Sequence, residues 1–242
     1  MIDYCMFTNP GGRKNNEDYV AATRYGDQYC FVLCDGLGGH DRGEVASKLV
    51  AGVIIDMFEA GGDVPGFLDK AMTTAQNELL ALQERENLKD AMKTTADILV
   101  VTPEQIKWAS IGDSRLYHFF ANGTRYERTR DHSLVQMLVD TGEIKEDEIR
   151  THPDRNKVFR VMGAEWGTKT YDKSAILETE PGHSFVLMTD GFWEYVYETE
   201  MMQYLNTTSS AEDWVSRMEL LVRERADMKK TDNYSAIAVK II

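Results

Sequence analysis

Cysteine is sparse and odd in number in this chain of 242 residues: Cys5, Cys30 and Cys34. The spacing supplies no second pair for a zinc ligand set. No basic residue adjoins Cys30 or Cys34 to stabilise a thiolate, so both read as reduced core thiols. Positive charge is also short, with 27 Lys and Arg against 40 Asp and Glu and a formal net charge of −13. That deficit argues against a nucleic-acid partner, which needs clustered cations to neutralise its phosphates. The longest apolar runs, at 53–58 and 185–188, fall well short of the roughly 20 residues of a membrane helix. Residues 1–10 lack the basic start and apolar stretch of a signal peptide. The expectation is a soluble cytoplasmic chain, monomeric, with no membrane partner. Linkers rich in Pro and Ser, charge blocks and internal repeats are missing too, so a single domain over 1–242 is expected.

The hydrophobic content, 43%, is enough for a real core. Continuous apolar runs at 30–34, 98–102, 185–189 and 236–241 read as buried strands. A meander is predicted after the second: 106–111 meets 115–120 through Gly112-Asp113, and Asn122-Gly123 turns that strand into 124–129. Apolar residues at helical spacing predict helices over 44–60, 65–86 and 211–226. Ser210 with Asp213 three residues later resembles a capping box. Helices and antiparallel strands in this order suggest an α+β fold. The segment 131–163 differs, with one short helix at 133–140, an acidic stretch and little strand signal. Its length suggests a lid or recognition element, and a neutral decoration fits equally.

Acidic residues recur where buried runs end. Asn16-Glu17-Asp18 precedes the first strong strand, Asp35-Gly36 ends the run at 30–34, Asp190-Gly191 ends that at 185–189, and Asp232-Asn233 leads into the last. An Asp at the end of a buried strand is held rigidly at the sheet rim. The following glycine is expected to let the chain turn and leave a carbonyl open to a cation. Hard divalent ions take such oxygen ligands, and two of them can share a carboxylate and activate water. Each Asp-Gly alone is more often a plain turn; the recurrence far apart in sequence carries the argument.

The residues Arg13-Lys14-Asn15-Asn16-Glu17-Asp18, Asp35-Gly36-Leu37-Gly38-Gly39-His40, Thr94-Thr95-Ala96, Gly112-Asp113-Ser114-Arg115, Asp131-His132-Ser133, Thr189-Asp190-Gly191-Phe192-Trp193-Glu194 and Asp232-Asn233-Tyr234-Ser235 follow one another in order. In these the chain resembles the protein phosphatase 2C family of metal-dependent protein phosphatases, in its compact bacterial form. The resemblance implies a central sandwich of two antiparallel β-sheets flanked by α-helices. It also implies hydrolysis of phosphoserine and phosphothreonine with two or three Mn2+ or Mg2+ ions, opposing a serine/threonine kinase. Asp35 would bridge two ions, with the Gly36 carbonyl on one of them, and Asp190 and Asp232 would complete the first ion's shell. Glu17 and Asp18 would act around the other, largely through water. Asp113 would help hold a third, weaker ion with Glu194, and Arg13 would bind phosphate. Animal members carry His directly after the Asp-Gly as the acid for the leaving oxygen. Here that position is Leu37, and a metal-bound water becomes the candidate acid.

Blander readings apply to other residues. His40 is assigned a structural or surface role. His118, His132, His152 and His183 are scattered without ligand spacing, Phe192 and Trp193 read as packing, and Thr94 and Thr95 as a strand edge. Ser114 and Arg115 order their turn, with Arg115 available to support a ligand carboxylate. Two other functions compete. A non-catalytic, phosphatase-like binding module would be expected to lose carboxylates at 35, 190 or 232, and all are present. A calcium-binding scaffold would show ligand-rich loops of the EF-hand kind, which are absent from the sequence.

Overall fold

The protein is described by a computed structural model covering residues 1–37, 42–88, 91–168 and 170–242. His40, given a structural role from sequence, lies outside the described residues, as do Gly38 and Gly39. The strands are β1 (Ile2–Asn9), β2 (Asp18–Tyr25), β3 (Gln28–Leu37), β4 (Lys93–Thr94), β5 (Ala96–Val101), β6 (Gln105–Ile111), β7 (Arg115–Phe119), β8 (Tyr126–Arg128), β9 (Asp172–Lys173), β10 (Leu177–Glu178), β11 (Ser184–Met188) and β12 (Tyr234–Ile241). The helices are α1 (Gly43–Gly61), α2 (Phe67–Arg85), α3 (Leu134–Thr141), α4 (Asp190–Trp193), α5 (Glu198–Thr207) and α6 (Ala211–Arg225).

One sheet runs β1-β12-β11-β7-β8 and the other β10-β6-β5-β3-β2, all pairs antiparallel. Alternation along β3 explains why its apolar run is unbroken. Cys30, Val32 and Cys34 face α1 and α2, while Phe31 and Leu33 face the other sheet. A strand buried on both faces has no polar side to show. The sheet β1-β12-β11-β7-β8 packs its outer face under α5 and α6 around Trp214, Tyr117 and Phe119. This is the expected sandwich of two antiparallel sheets with flanking helices.

Local chemistry sets the element ends. Ser133 caps α3 by accepting from the Gln136 N–H, and Gly142 closes it in the left-handed region at φ 77°. At α6 the predicted box is only half formed. Ser210 Oγ accepts from the Asp213 N–H at 3.1 Å, but the Asp213 carboxylate turns to Arg217, 3.6 Å away.

Two further expectations are corrected, and both bear on the site. The strands at 106–111 and 115–119 do not form a hairpin: β6 pairs β5 in one sheet and β7 pairs β11 and β8 in the other. The Gly112-Asp113-Ser114 turn therefore crosses between sheets and sets Asp113 at the rim. Nor does β3 end at Asp35-Gly36. It continues to Leu37, pairing with β4. Gly36 serves close approach rather than turning, because a Cβ there would stand 2.4 Å from the Gly43 backbone at the start of α1.

Candidate metal centre

Each acidic side chain of interest arrives on a separately braced piece of backbone. The Asp35 N–H donates to Thr95 Oγ1 at 2.8 Å, and its carbonyl accepts from Thr94 Oγ1 and from the Thr95 N–H, both at 2.8 Å. Thr94 and Thr95 thus brace the edge beside Asp35. The Gly36 N–H donates to the Glu17 carbonyl at 3.1 Å, and Ser47 Oγ of α1 donates to the same oxygen at 2.6 Å. Asn233 accepts from the Glu17 N–H at 2.7 Å through its side-chain oxygen, and its amide donates to the Pro10 and Asn15 carbonyls. One amide so fixes the 10–17 loop against the approach to β12. Asp190 opens α4. Its neighbour Gly191 lies so close to the Asn233 carbonyl that an added Cβ would be 2.2 Å away, which brings Asp190 and Asp232 to the same place.

Glu17, Asp35, Gly36, Asp113, Asp190 and Asp232 line one cleft of about 230 Å3, together with Arg13, Leu37, Asn156 and Val158. Glu194 lies in a smaller adjoining cleft of about 110 Å3 that shares Asp190, Asp232 and Arg13. Asp18 does not line either cleft; it lies 6% exposed between the sheets, opposite Asp35 in the β2–β3 register. Its Oδ2 accepts from Ser235 Oγ at 2.6 Å and Thr189 Oγ1 at 3.0 Å, while its Oδ1 finds no hydrogen-bond partner among the described residues.

The electrostatics are lopsided. Burial raises the Asp35 carboxyl well above the ordinary range, and Asp18, Asp190 and Asp113 add to the rise. Asp190 is raised well above it by burial, then by Asp113 and Glu194. Asp18 and Asp113 are each raised to about 7, chiefly by burial. The charges acting on Asp35 and Asp190 are those of other acids, and a divalent cation would relieve them. The donors are hard oxygens with no His or Cys among them, which suits Mg2+ or Mn2+. Among the described residues, no three Asp, Glu, His or Cys side chains converge closely enough to hold an ion by themselves. The fit is therefore a hydrated one, with carboxylates from several elements and the Gly36 carbonyl sharing ions whose remaining ligands are water.

Two guanidinium groups meet this acidic surface. Arg13 Nη2 is 2.8 Å from Asp232 Oδ2, both side chains being about half exposed. Arg155, from the segment 131–163, places Nε 2.6 Å from Glu194 Oε1. Arg155 was not singled out from sequence, nor were the bracing roles of Asn233, Ser235 and Thr189, although three of the four stand in or beside motif residues. Among the described residues Arg115 hydrogen-bonds no cleft carboxylate, although its charge works to lower Asp113 and Glu194. It forks onto Asp131 at 2.9 and 2.7 Å on the outer face of its sheet, because β7 alternation turns residue 115 away from the rim. His118 and His183, scattered in sequence, come together at 2.7 Å through their ring nitrogens, far from these acids in the strand register.

A sequence profile described as "Protein phosphatase 2C" matches residues 12–230. The serine/threonine protein phosphatase PstP of Mycobacterium tuberculosis is 32% identical over 213 residues. The alignment takes in 87% of this chain but only 40% of that protein's length. The crystal structure of serine/threonine phosphatase Stp1 from Staphylococcus aureus is 30% identical with a TM-score of 0.88, covering 100% of this chain and 96% of that one. A structure of the PstP catalytic domain in complex with two manganese ions is 26% identical with a TM-score of 0.83, covering 100% and 98%. The profile match runs from before the first acidic pair to just short of Asp232, and the solved relatives superpose over the whole chain, so the chain belongs to the protein phosphatase 2C family.

Proposed function

We propose that the chain hydrolyses phosphoserine and phosphothreonine on proteins, using two or three Mn2+ or Mg2+ ions held in the acidic cleft. The observation that carries this reading is the cleft itself, with four Asp side chains from four chain segments gathered beside one arginine. The family's manganese-bound relative supports the choice of ion. When bound, the cations supply Lewis-acid activation of water and of the phosphoryl oxygens. Asp35, Asp190 and Asp232 hold them, with the Gly36 carbonyl; Glu17 and Asp18 act around the second ion, and Asp113 with Glu194 on a weaker third. Asp18 lies beneath the cleft opposite Asp35, so it acts through that carboxylate and through water.

Arg13 is the phosphate ligand. Its fork reaches the cleft from the side of Asp232, and engaging a phosphate requires it to share or leave that carboxylate. Leu37 lines the cleft with no proton to give, so a water held by one of the cations would be the candidate acid for the leaving serine or threonine oxygen. Asn156 and Val158 bring the segment 131–163 to the cleft, where it acts as a lid that meets the protein substrate. The chain is read as a cytoplasmic monomer opposing a serine/threonine kinase; no helix among the described residues is long and apolar enough to cross a membrane.

The test is phosphate release from a phosphothreonine peptide with Mn2+ titrated in. Turnover is expected to rise with Mn2+ and to vanish with chelator, and Asp190→Asn is expected to lower it by at least about a thousandfold. Full turnover in chelator, or in Asp190→Asn, overturns the assignment.

A further inference from the structure

Trp193 stands in sequence between Asp190 and Glu194 of the two clefts, and its surroundings are not those of a plain core indole. The ring N–H donates to the Asp113 carbonyl at 3.0 Å, across 80 residues of sequence. The Arg115 guanidinium lies 3.5 Å from the ring centroid, and that of Arg150 lies 5.7 Å away. Cations stacked on an indole at these distances attract its negative face, more strongly where water is excluded. Trp193 and Arg115 are almost wholly buried.

The two arginines are themselves fixed by acids. Arg115 forks onto Asp131 and donates through Nη1 to the Tyr117 hydroxyl at 3.2 Å. That hydroxyl donates to Glu198 Oε1 at 3.0 Å, and Arg150 Nη2 donates to the same oxygen at 3.0 Å. The chain Asp131–Arg115–Tyr117–Glu198–Arg150 therefore starts and ends in the segment 131–163. It grips the indole that holds the Gly112-Asp113-Ser114 crossover. Rotating or lowering the indole would release the one side-chain donor that the Asp113 carbonyl has among the described residues and let the turn carrying its carboxylate drift.

We propose that Trp193 is the positioning residue for Asp113, and that the buried charge chain ties its placement to the docking of the segment 131–163. The inference rests on the reading above that Asp113 holds a weakly bound cation. Its consequence is specific to that ion: the indole should set the affinity of the weakest metal step and leave the tighter steps alone. A supporting partner one shell away from a ligand is worth about tenfold to a hundredfold in metal affinity.

The experiment is calorimetric titration of the metal-free chain with Mn2+, with bound Mn2+ counted separately by electron paramagnetic resonance. Asp113→Asn, Trp193→Phe and the paired change Arg150→Met with Glu198→Gln are compared with the unmodified protein. Trp193→Phe keeps a stacked ring and removes the N–H, along with the volume of the fused five-membered ring. It is expected to weaken the weakest step by about tenfold while the tighter steps stay within about twofold. The paired change, which removes both charges together, is expected to weaken that step by less. An isotherm for Trp193→Phe that matches the unmodified protein, while Asp113→Asn loses the weak step, overturns the positioning role and leaves the metal reading standing. Uniform weakening of every step also overturns it, since that marks a general structural defect. An unchanged isotherm in Asp113→Asn overturns the metal reading, and the inference with it. If Trp193→Phe does not fold, the paired variant decides alone, and an unchanged weak step there overturns the proposal.

Discussion

Two sets of buried acids lie near one another in this molecule and are treated in opposite ways. In the charge chain around Trp193, Asp131 and Glu198 are each met by a guanidinium. Burial works to raise the Glu198 carboxyl, yet Arg150 and its hydrogen bonds hold it below the ordinary range. In the cleft the charged neighbours of Asp35 and Asp190 are other acids, and both are pushed well upward. The first set is a finished structure, because each desolvated charge has its partner. The second is unfinished by the protein alone. Asp97 supplies a control for this comparison. It is fully buried, raised by burial, and neither of its oxygens meets the geometry of a hydrogen bond among the described residues, although Ser110 opposite it works to lower the shift. It lines neither of the two clefts at the acidic end, so it reads as a neutral acid in the inter-sheet core. Uncompensated burial alone does not mark a cation site; uncompensated burial opening on a shared cleft does.

The largest effect should come from breaking the finished set. Asp131→Ala leaves Arg115 buried without its carboxylate and also strips a 3.2 Å contact from Arg128. Removing one partner of a buried pair costs about 3–5 kcal/mol, which in a chain of this size lowers the melting temperature on the order of 10 °C. A thermal melt checks it. A change within about 2 °C would mean that the pair is not the structural element described here.

The cleft should respond with the opposite sign. Without metal, Asp18 and Asp113 have folded-state values of about 7 against an ordinary value of 3.8. The folded state therefore holds protons that the unfolded state has released, and this stability is complete below the unfolded value and lost as pH rises through about 7. Melts in chelator should fall between pH 6 and pH 8, on the order of 5 °C, and saturating Mn2+ should remove the fall. Asp190→Asn deletes one of the mutually repelling acids, so in chelator at pH 8 it should melt a few degrees above the unmodified protein, roughly 3 °C, even as turnover is lost. A chelator melt that is flat with pH, with Asp190→Asn no more stable, would place these carboxylates with Glu198 rather than apart from it.

What the sequence made legible follows from the range of the forces involved. The two-sided burial of β3, β5, β11 and β12 shows as unbroken apolar runs, and the Ser133 cap and the Asn122-Gly123 hairpin are local chemistry, so these were readable. Asp35, Asp190 and Asp232 are legible because each stands where a buried run ends or begins, whereas Asp113 comes only through the family resemblance. The crossover at Gly112 was misread as a hairpin because a two-sheet fold and a meander share the same strand–turn–strand pattern until pairing partners are known. Arg155 on Glu194, and Trp193 on Asp113, join residues 39 and 80 apart with no periodic signal between them. Nor could spacing show that Asp18 points between the sheets, since β2 is only partly buried and its alternation is blurred.

Arg13 tests where the comparison ends, because it is a guanidinium beside an acid and yet is assigned to substrate. Its side chain is 55% exposed and that of Asp232 is 43% exposed, so the pair resembles a surface ion pair, worth only about 0–1 kcal/mol. Arg13→Ala should therefore shift the melt by less than about 2 °C, unlike loss of Asp131. If the fork binds phosphate in the ground state, KM should rise about tenfold for a phosphopeptide and for a small aryl phosphate alike, with kcat changed by less than about threefold. Arg13→Lys should recover part of the KM, since it keeps the charge but not the two-pronged geometry. An unchanged KM would return Arg13 to the class of Arg115, a cation committed to partners within the fold. A rise in KM for the peptide alone would instead move Arg13 from the phosphate to the protein part of the substrate, because only the phosphate is common to both.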